Sequence, residues 1–140
     1  MSEKTKASGR FNLRARENGG EEIVVPTKIH SVELSSNSLT LRGWNYDDPS
    51  ELPWGCRIDI RGPIKVGKYA MEPGHSFYNP RNAAESWMAT EGEFTLDEVD
   101  FEKTFIKGSF RFTAVPTESP GLRGDIHGTF SLQEYTKPVV

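Results

Sequence analysis

Cysteine is nearly missing from this chain: Cys56 is the only one in 140 residues, so neither an intrachain disulfide nor a thiolate zinc site can form. Long apolar runs are missing too. No stretch approaches the roughly 18 to 20 uninterrupted apolar residues of a membrane helix, and the start, Met1-Ser2-Glu3-Lys4-Thr5-Lys6, lacks an apolar leader. No membrane span is expected, and cytoplasmic residence is the default, with export by a route that uses no cleaved leader as the alternative. Positive charge is not in excess: 17 Lys and Arg against 20 Asp and Glu leave a formal net charge of −3. That balance argues against a mainly electrostatic nucleic-acid binder. Glycine-rich phosphate loops of the recognised spacings are absent. The three histidines, at positions 30, 75 and 127, are too dispersed for a recognisable metal motif. No catalytic constellation stands out, and no cofactor is expected.

What is present is a profile of one compact domain, with 13 Gly, 9 Pro, 11% aromatic and 26% charged residues. Residues 1–8 read as a flexible lead-in, 9–136 as the domain and 137–140 as a tail. Within the domain, apolar residues recur at every second position in short runs cut by Gly, Pro, Asn or Asp, which is the strand pattern. Phe11, Leu13 and Ala15 alternate with Arg10, Asn12, Arg14 and Arg16. Val32 and Leu34, then Ser35-Ser36-Asn37-Ser38, then Leu39 and Leu41 read as a hairpin. Cys56, Ile58 and Ile60 alternate with Arg57, Asp59 and Arg61, and a short strand follows around 66–71. The best helix candidate, 80–88, spans two turns at most, and 96–104 reads as an acidic link.

The most specific signal is a repeat of Gly-x-Phe-x-Leu or Gly-x-Phe-x-Phe, starting at Gly9, Gly92, Gly108 and Gly128. Side chains alternate along a strand, so the Gly, the Phe and the last apolar residue of each copy share a face. Phe11, Phe94, Phe110 and Phe130 should therefore meet in one core, with each inward Gly leaving room for a neighbouring aromatic ring. The last three copies suit a C-terminal meander, and the first should pair with one of those strands. The fold class is all-β: a single-domain antiparallel β-sandwich or closed β-barrel of about eight strands.

The run Glu91-Gly92-Glu93-Phe94-Thr95-Leu96, with 106–114 and Gly128-Thr129-Phe130, resembles the C-terminal part of small uncharacterised bacterial β-sandwich proteins, many of them envelope lipoproteins. The likeness covers about the last third of the chain. It implies a sandwich and supplies no activity or site residues. The chain departs from that pattern in having no leader and no cysteine near its start.

If strands are scaffold, recognition belongs to the connections. Three stand out, at 44–55, 72–81 and 116–125. The first two concentrate aromatic rings beside carboxylates and amides, a mixture suited to stacking on a sugar or anchoring a protein. The ligand-binding candidates are Trp44, Tyr46, Asp47, Trp54, His75, Tyr78, Asn79 and Arg81. The competing reading has Trp44, Trp54 and Tyr78 capping the open end of the core. Asp47, Asp48 and Glu51, like Asp97, Glu98 and Asp100, lack calcium-loop spacing and read as solvated turns. Cys56 is in phase with buried isoleucines and reads as core. The stripe of Arg57, Asp59, Arg61 and neighbouring Arg42 could bind phosphate, but its mixed signs read as a solvated face.

Together these features point to a non-enzymatic binding module for a carbohydrate or protein ligand. The alternatives are a barrel holding a small apolar ligand, or using His75 for acid-base chemistry at its mouth, and an assembly subunit pairing through an edge strand. Oligomeric state is not legible in the sequence.

Overall fold

The structure, a computed structural model, describes residues 7–45, 54–81, 85–118 and 121–134. Ten strands form it: β1 (Ala7–Glu17), β2 (Glu22–Val25), β3 (Ile29–Ser35), β4 (Ser38–Asn45), β5 (Trp54–Arg61), β6 (Gly67–Ala70), β7 (Phe77–Asn79), β8 (Trp87–Asp100), β9 (Phe105–Pro116) and β10 (Gly124–Glu134). They make one antiparallel sheet in the order β2-β1-β10-β9-β8-β7-β5-β4-β3, with β6 paired to β8 beside that path. The described strands number ten against the expected eight or so; the short strand expected around 66–71 is β6, while β7, with only 3 residues, is too short for a clear alternation.

The first and last described strands, β1 and β10, pair from Ala7 against Glu134 to Glu17 against Gly124. Pairing thus begins two residues before the expected domain start at Gly9. The meander of β8, β9 and β10 runs as the repeat suggests. The acidic stretch from 96, expected to be a link, instead continues β8 to Asp100. A bulge between Leu96 and Glu98 shifts the phase by one residue, so that Leu96 and Val99 both pack against the core. The proposed helix at 80–88 lies partly outside the described residues, and Trp87 and Met88 already belong to β8.

The sheet wraps over itself. Phe11 of β1 stacks on His30 of β3, with ring centroids 6.1 Å apart, and a side chain at Gly43 of β4 would meet the Phe11 ring at 3.0 Å. No ladder joins β3 to β1 or β2 among the described residues, so hydrogen bonding does not close the ring of strands. The Thr27 hydroxyl instead ties the crossing between β2 and β3 to the Phe11 carbonyl at 2.5 Å.

The repeat explains the interior. In the β9–β10 ladder Phe130 stands opposite Gly108, and Phe110 stands opposite Gly128. Each ring lies over the other strand's glycine: a Cβ on Gly108 would come within 2.9 Å of Phe130 Cζ, and one on Gly128 within 2.7 Å of Phe110 Cζ. The rings then contact one another and the flanking copies. Centroid separations are 6.4 Å for Phe110–Phe130, 5.4 Å for Phe94–Phe130 and 5.8 Å for Phe11–Phe110, all within the favourable range for aromatic pairs. Leu13, Leu96, Ile106, Ile126 and Leu132 complete this fully buried part.

One edge of the sheet is held by charge. Glu22 of β2 reaches His127 of β10 at 2.5 Å and Arg14 of β1 at 3.5 Å, and the His127 hydrogen bond, ahead of the nearby positive charges, holds its carboxyl below the ordinary value of 4.5. A lowered carboxylate pKa stabilises the fold above the unfolded-state pKa, and that contribution is lost as pH falls through the folded one. Amides of β2 should therefore exchange with solvent faster, relative to the core, when pH is lowered through and below 4.5, and Glu22→Gln should remove this dependence. High salt should weaken it, since the groups are exposed. Equal pH dependence in the variant would contradict the assignment.

Candidate functional site

The described ends of two of the three long connections, at Trp54 and at Phe77–Asn79, lie side by side on β5 and β7. Trp54 opens β5, opposite Asn45 at the end of β4. Tyr78, in the centre of β7, stands opposite Cys56 on one side and Trp87 on the other. The alternation that turns Cys56 inward does the same for Trp54, whose indole Nε1–H donates to the Tyr78 hydroxyl at 3.4 Å. That hydroxyl donates in turn to Glu17 Oε2 at 2.7 Å. Glu17 is the last residue of β1, so the chain of hydrogen bonds bridges two parts of the wrapped sheet. The Arg81 guanidinium sits 5.6 Å from the centre of the Trp54 ring, a cation–π arrangement.

Burial keeps the central phenol of this group protonated. Tyr78 is fully buried, and burial first, then the hydrogen bond to Glu17, raises its pKa above the ordinary tyrosine value. The phenol therefore remains a donor across the physiological range. It has no exposed surface with which to touch a ligand, and its part is to hold Trp54 and Glu17 in place. Half-buried Trp54, half-buried Glu17 and exposed Arg81 are the groups a ligand can reach.

The remaining candidates are dispersed. Asn79 and Asn45 are buried beside this end. Trp44 is half-buried and, one residue out of phase with Asn45 and Gly43, faces the opposite side of the sheet from Trp54. His75 pairs with Glu72 at 3.5 Å within its own turn, and has no contact with the Trp54 group among the described residues. Tyr46, Asp47, Asp48 and Glu51 lie outside the described residues. Glu17 was not among the sequence candidates. It closes an otherwise regular strand, and only the ladder between β1 and β10 brings it near Tyr78.

Cys56 is buried, and burial alone pushes its thiol far above the ordinary range, which suits a core residue and not a nucleophile. Asp100 accepts hydrogen bonds from the backbone N–H groups of Glu102 and Lys103 at 3.0 and 3.1 Å, shaping the β8–β9 turn. An open cleft of about 540 Å³ at that turn is lined by Asp97, Glu98, Asp100 and Lys103 together with Val66 and Phe105. Among the described residues, no group of three or more His, Cys, Asp or Glu side chains is placed to hold a metal ion. No helix among them is long and apolar enough to cross a membrane.

The chain matches no protein-family model, no curated protein and no solved structure.

Proposed function

We propose that this protein is a non-enzymatic binding module, with a carbohydrate or protein ligand seated at the end of the sheet where Trp54, Glu17 and Arg81 meet. The observation that carries this reading is the hydrogen-bonded line from Trp54 through buried Tyr78 to Glu17, with Arg81 over the indole. An aromatic face is thereby fixed beside an anionic acceptor and a cationic donor, and side chains ordered before binding lose little further entropy when a ligand arrives. Sugars and protein side chains both present apolar patches flanked by hydrogen-bonding groups, and such a surface complements either.

The accompanying architecture is sandwich-like, two halves of one wrapped sheet facing each other across the phenylalanine rings. The stacked rings take up the interior that a small apolar ligand would need. The His75–Glu72 pair is set apart in its own turn, with His75 half-buried and the Glu72 side chain 71% exposed, an arrangement that favours an ion pair at the surface over acid-base chemistry.

Glycan arrays and protein pull-downs with the wild type, Trp54→Ala and Arg81→Ala test the reading. The expected result is binding by the wild type and its loss in both variants, with the fold retained. A blank wild type, or binding untouched by either substitution, would overturn it.

A further inference from the structure

The outer face of β4 and β5 departs from the solvated stripe that its mixed charges suggest. Arg42 stands opposite Arg57, Thr40 opposite Asp59 and Ser38 opposite Arg61. Like charges directly across a ladder repel, and Arg42 is only 8% exposed. Among the described residues its carboxylate partner is Glu33, 3.6 Å from Nη1 and half exposed, beyond hydrogen-bonding distance. Arg42 Nη1 and Arg57 Nε are both buried without a hydrogen-bond partner among the described residues. Asp59 relieves only part of this: its Oδ2 holds Arg57 Nη2 at 3.1 Å and its Oδ1 accepts from the Thr40 hydroxyl at 2.6 Å. With both oxygens so engaged, its side chain is 13% exposed.

In a chain of net negative charge, three guanidinium groups here face two carboxylates. A guanidinium withdrawn from water without full pairing, as Arg42 is, is costly, and although the Arg57 side chain is 42% exposed, orphaned buried donors such as its Nε call for an explanation such as an anion. A cleft of about 420 Å³ opens alongside, lined by Asn37, Ser38, Thr40, Arg57 and Arg61 together with Ile60 and the already engaged Asp59. Arg57 and Arg61 flank Asp59 at a Cα spacing of about 13 Å by strand rise, which lets two long side chains converge on one group between them. Donors arriving from several directions suit the oxygens of a phosphate, whereas the coplanar oxygens of a carboxylate suit a single guanidinium fork.

We infer that this cleft binds a phosphate group, held by Arg57 and Arg61 with the Asn37–Thr40 segment beneath, while buried Arg42 adds positive charge behind Arg57. The site lies apart from the Trp54 group, on the other face of the sheet, and does not depend on it.

Titration of the full chain with inorganic phosphate at constant ionic strength, followed by amide NMR, is the test. Saturable shifts are expected at Thr40, Arg57, Asp59 and Arg61. Arg61→Gln, at an exposed position that folding does not need, should weaken binding by about tenfold, and Arg57→Gln by at least as much. Arg10→Gln, on β1, should change nothing. Shifts that do not saturate, an Arg61→Gln variant that binds as the wild type does, or equal shifts with acetate would each overturn the assignment.

Discussion

Phe130→Ala is expected to destabilise the protein by about 3–5 kcal/mol, the usual cost of removing a buried phenyl ring. Phe130 is 3% exposed, stacks on Phe94 at 5.4 Å and on Phe110 at 6.4 Å, and covers Gly108 of the neighbouring strand. Its removal opens a hole beside a residue with no side chain to fill it. Domains of this size commonly have 5–15 kcal/mol of total stability, so the variant should unfold at a much lower urea concentration, with little change in the slope of the transition. Phe101→Ala is the matched control. Phe101 is 47% exposed in the β8–β9 turn, and its loss should cost no more than about 0.5 kcal/mol. Similar midpoints for the two variants would show that Phe130 is not in the common core.

The second large effect comes from the opposite change, adding one methyl group. Gly108→Ala would place Cβ 2.0 Å from the Thr95 carbonyl oxygen and 2.9 Å from Phe130 Cζ. The ring can tilt away, but the carbonyl belongs to the β8–β9 ladder and cannot move without disturbing it. The expected loss is about 3 kcal/mol, at the upper end of the range for overpacked cores. Gly128→Ala should behave alike, since its Cβ would meet the Asn12 carbonyl oxygen at 2.4 Å and Phe110 Cζ at 2.7 Å. Urea midpoints near that of the wild type would mean that the glycines are not spacers for the rings.

These two effects rest on the part of the molecule that was most legible in the sequence. Gly108-x-Phe110 and Gly128-x-Phe130 place their side chains on one face by simple alternation, and an antiparallel register with each Phe opposite a Gly uses both copies at once. The same alternation identified Leu13, Ala15, Ile58 and Ile60 as core, and they are buried. It failed where the period breaks. The bulge after Leu96 hid the far end of β8, and β7, 3 residues long between a loop and Pro80, has no period to read.

The candidate site was legible only in part. Trp54, Tyr78 and Arg81 could be picked out as unusual residues in adjoining connections, and the structure brings them together. Tyr78 is a buried support and not a contact residue, because a strand forms where a loop was expected. Glu17 carried no local signal, as its role arises from pairing between residues far apart in sequence. Arg42 is the same kind of case. A strand arginine normally reads as solvated, and its burial depends on how the surrounding strands wrap.

The central claim is that a repeated strand pattern draws β1, β10 and the start of β3 into one aromatic interior. Ring-to-ring nuclear Overhauser contacts of Phe11 test it most directly, because its ring lies 5.8 Å from that of Phe110 and 6.1 Å from that of His30. The account requires cross-peaks from Phe11 to both rings. A Phe11 ring in contact with neither, or exchanging freely with solvent-exposed conformations, would contradict it.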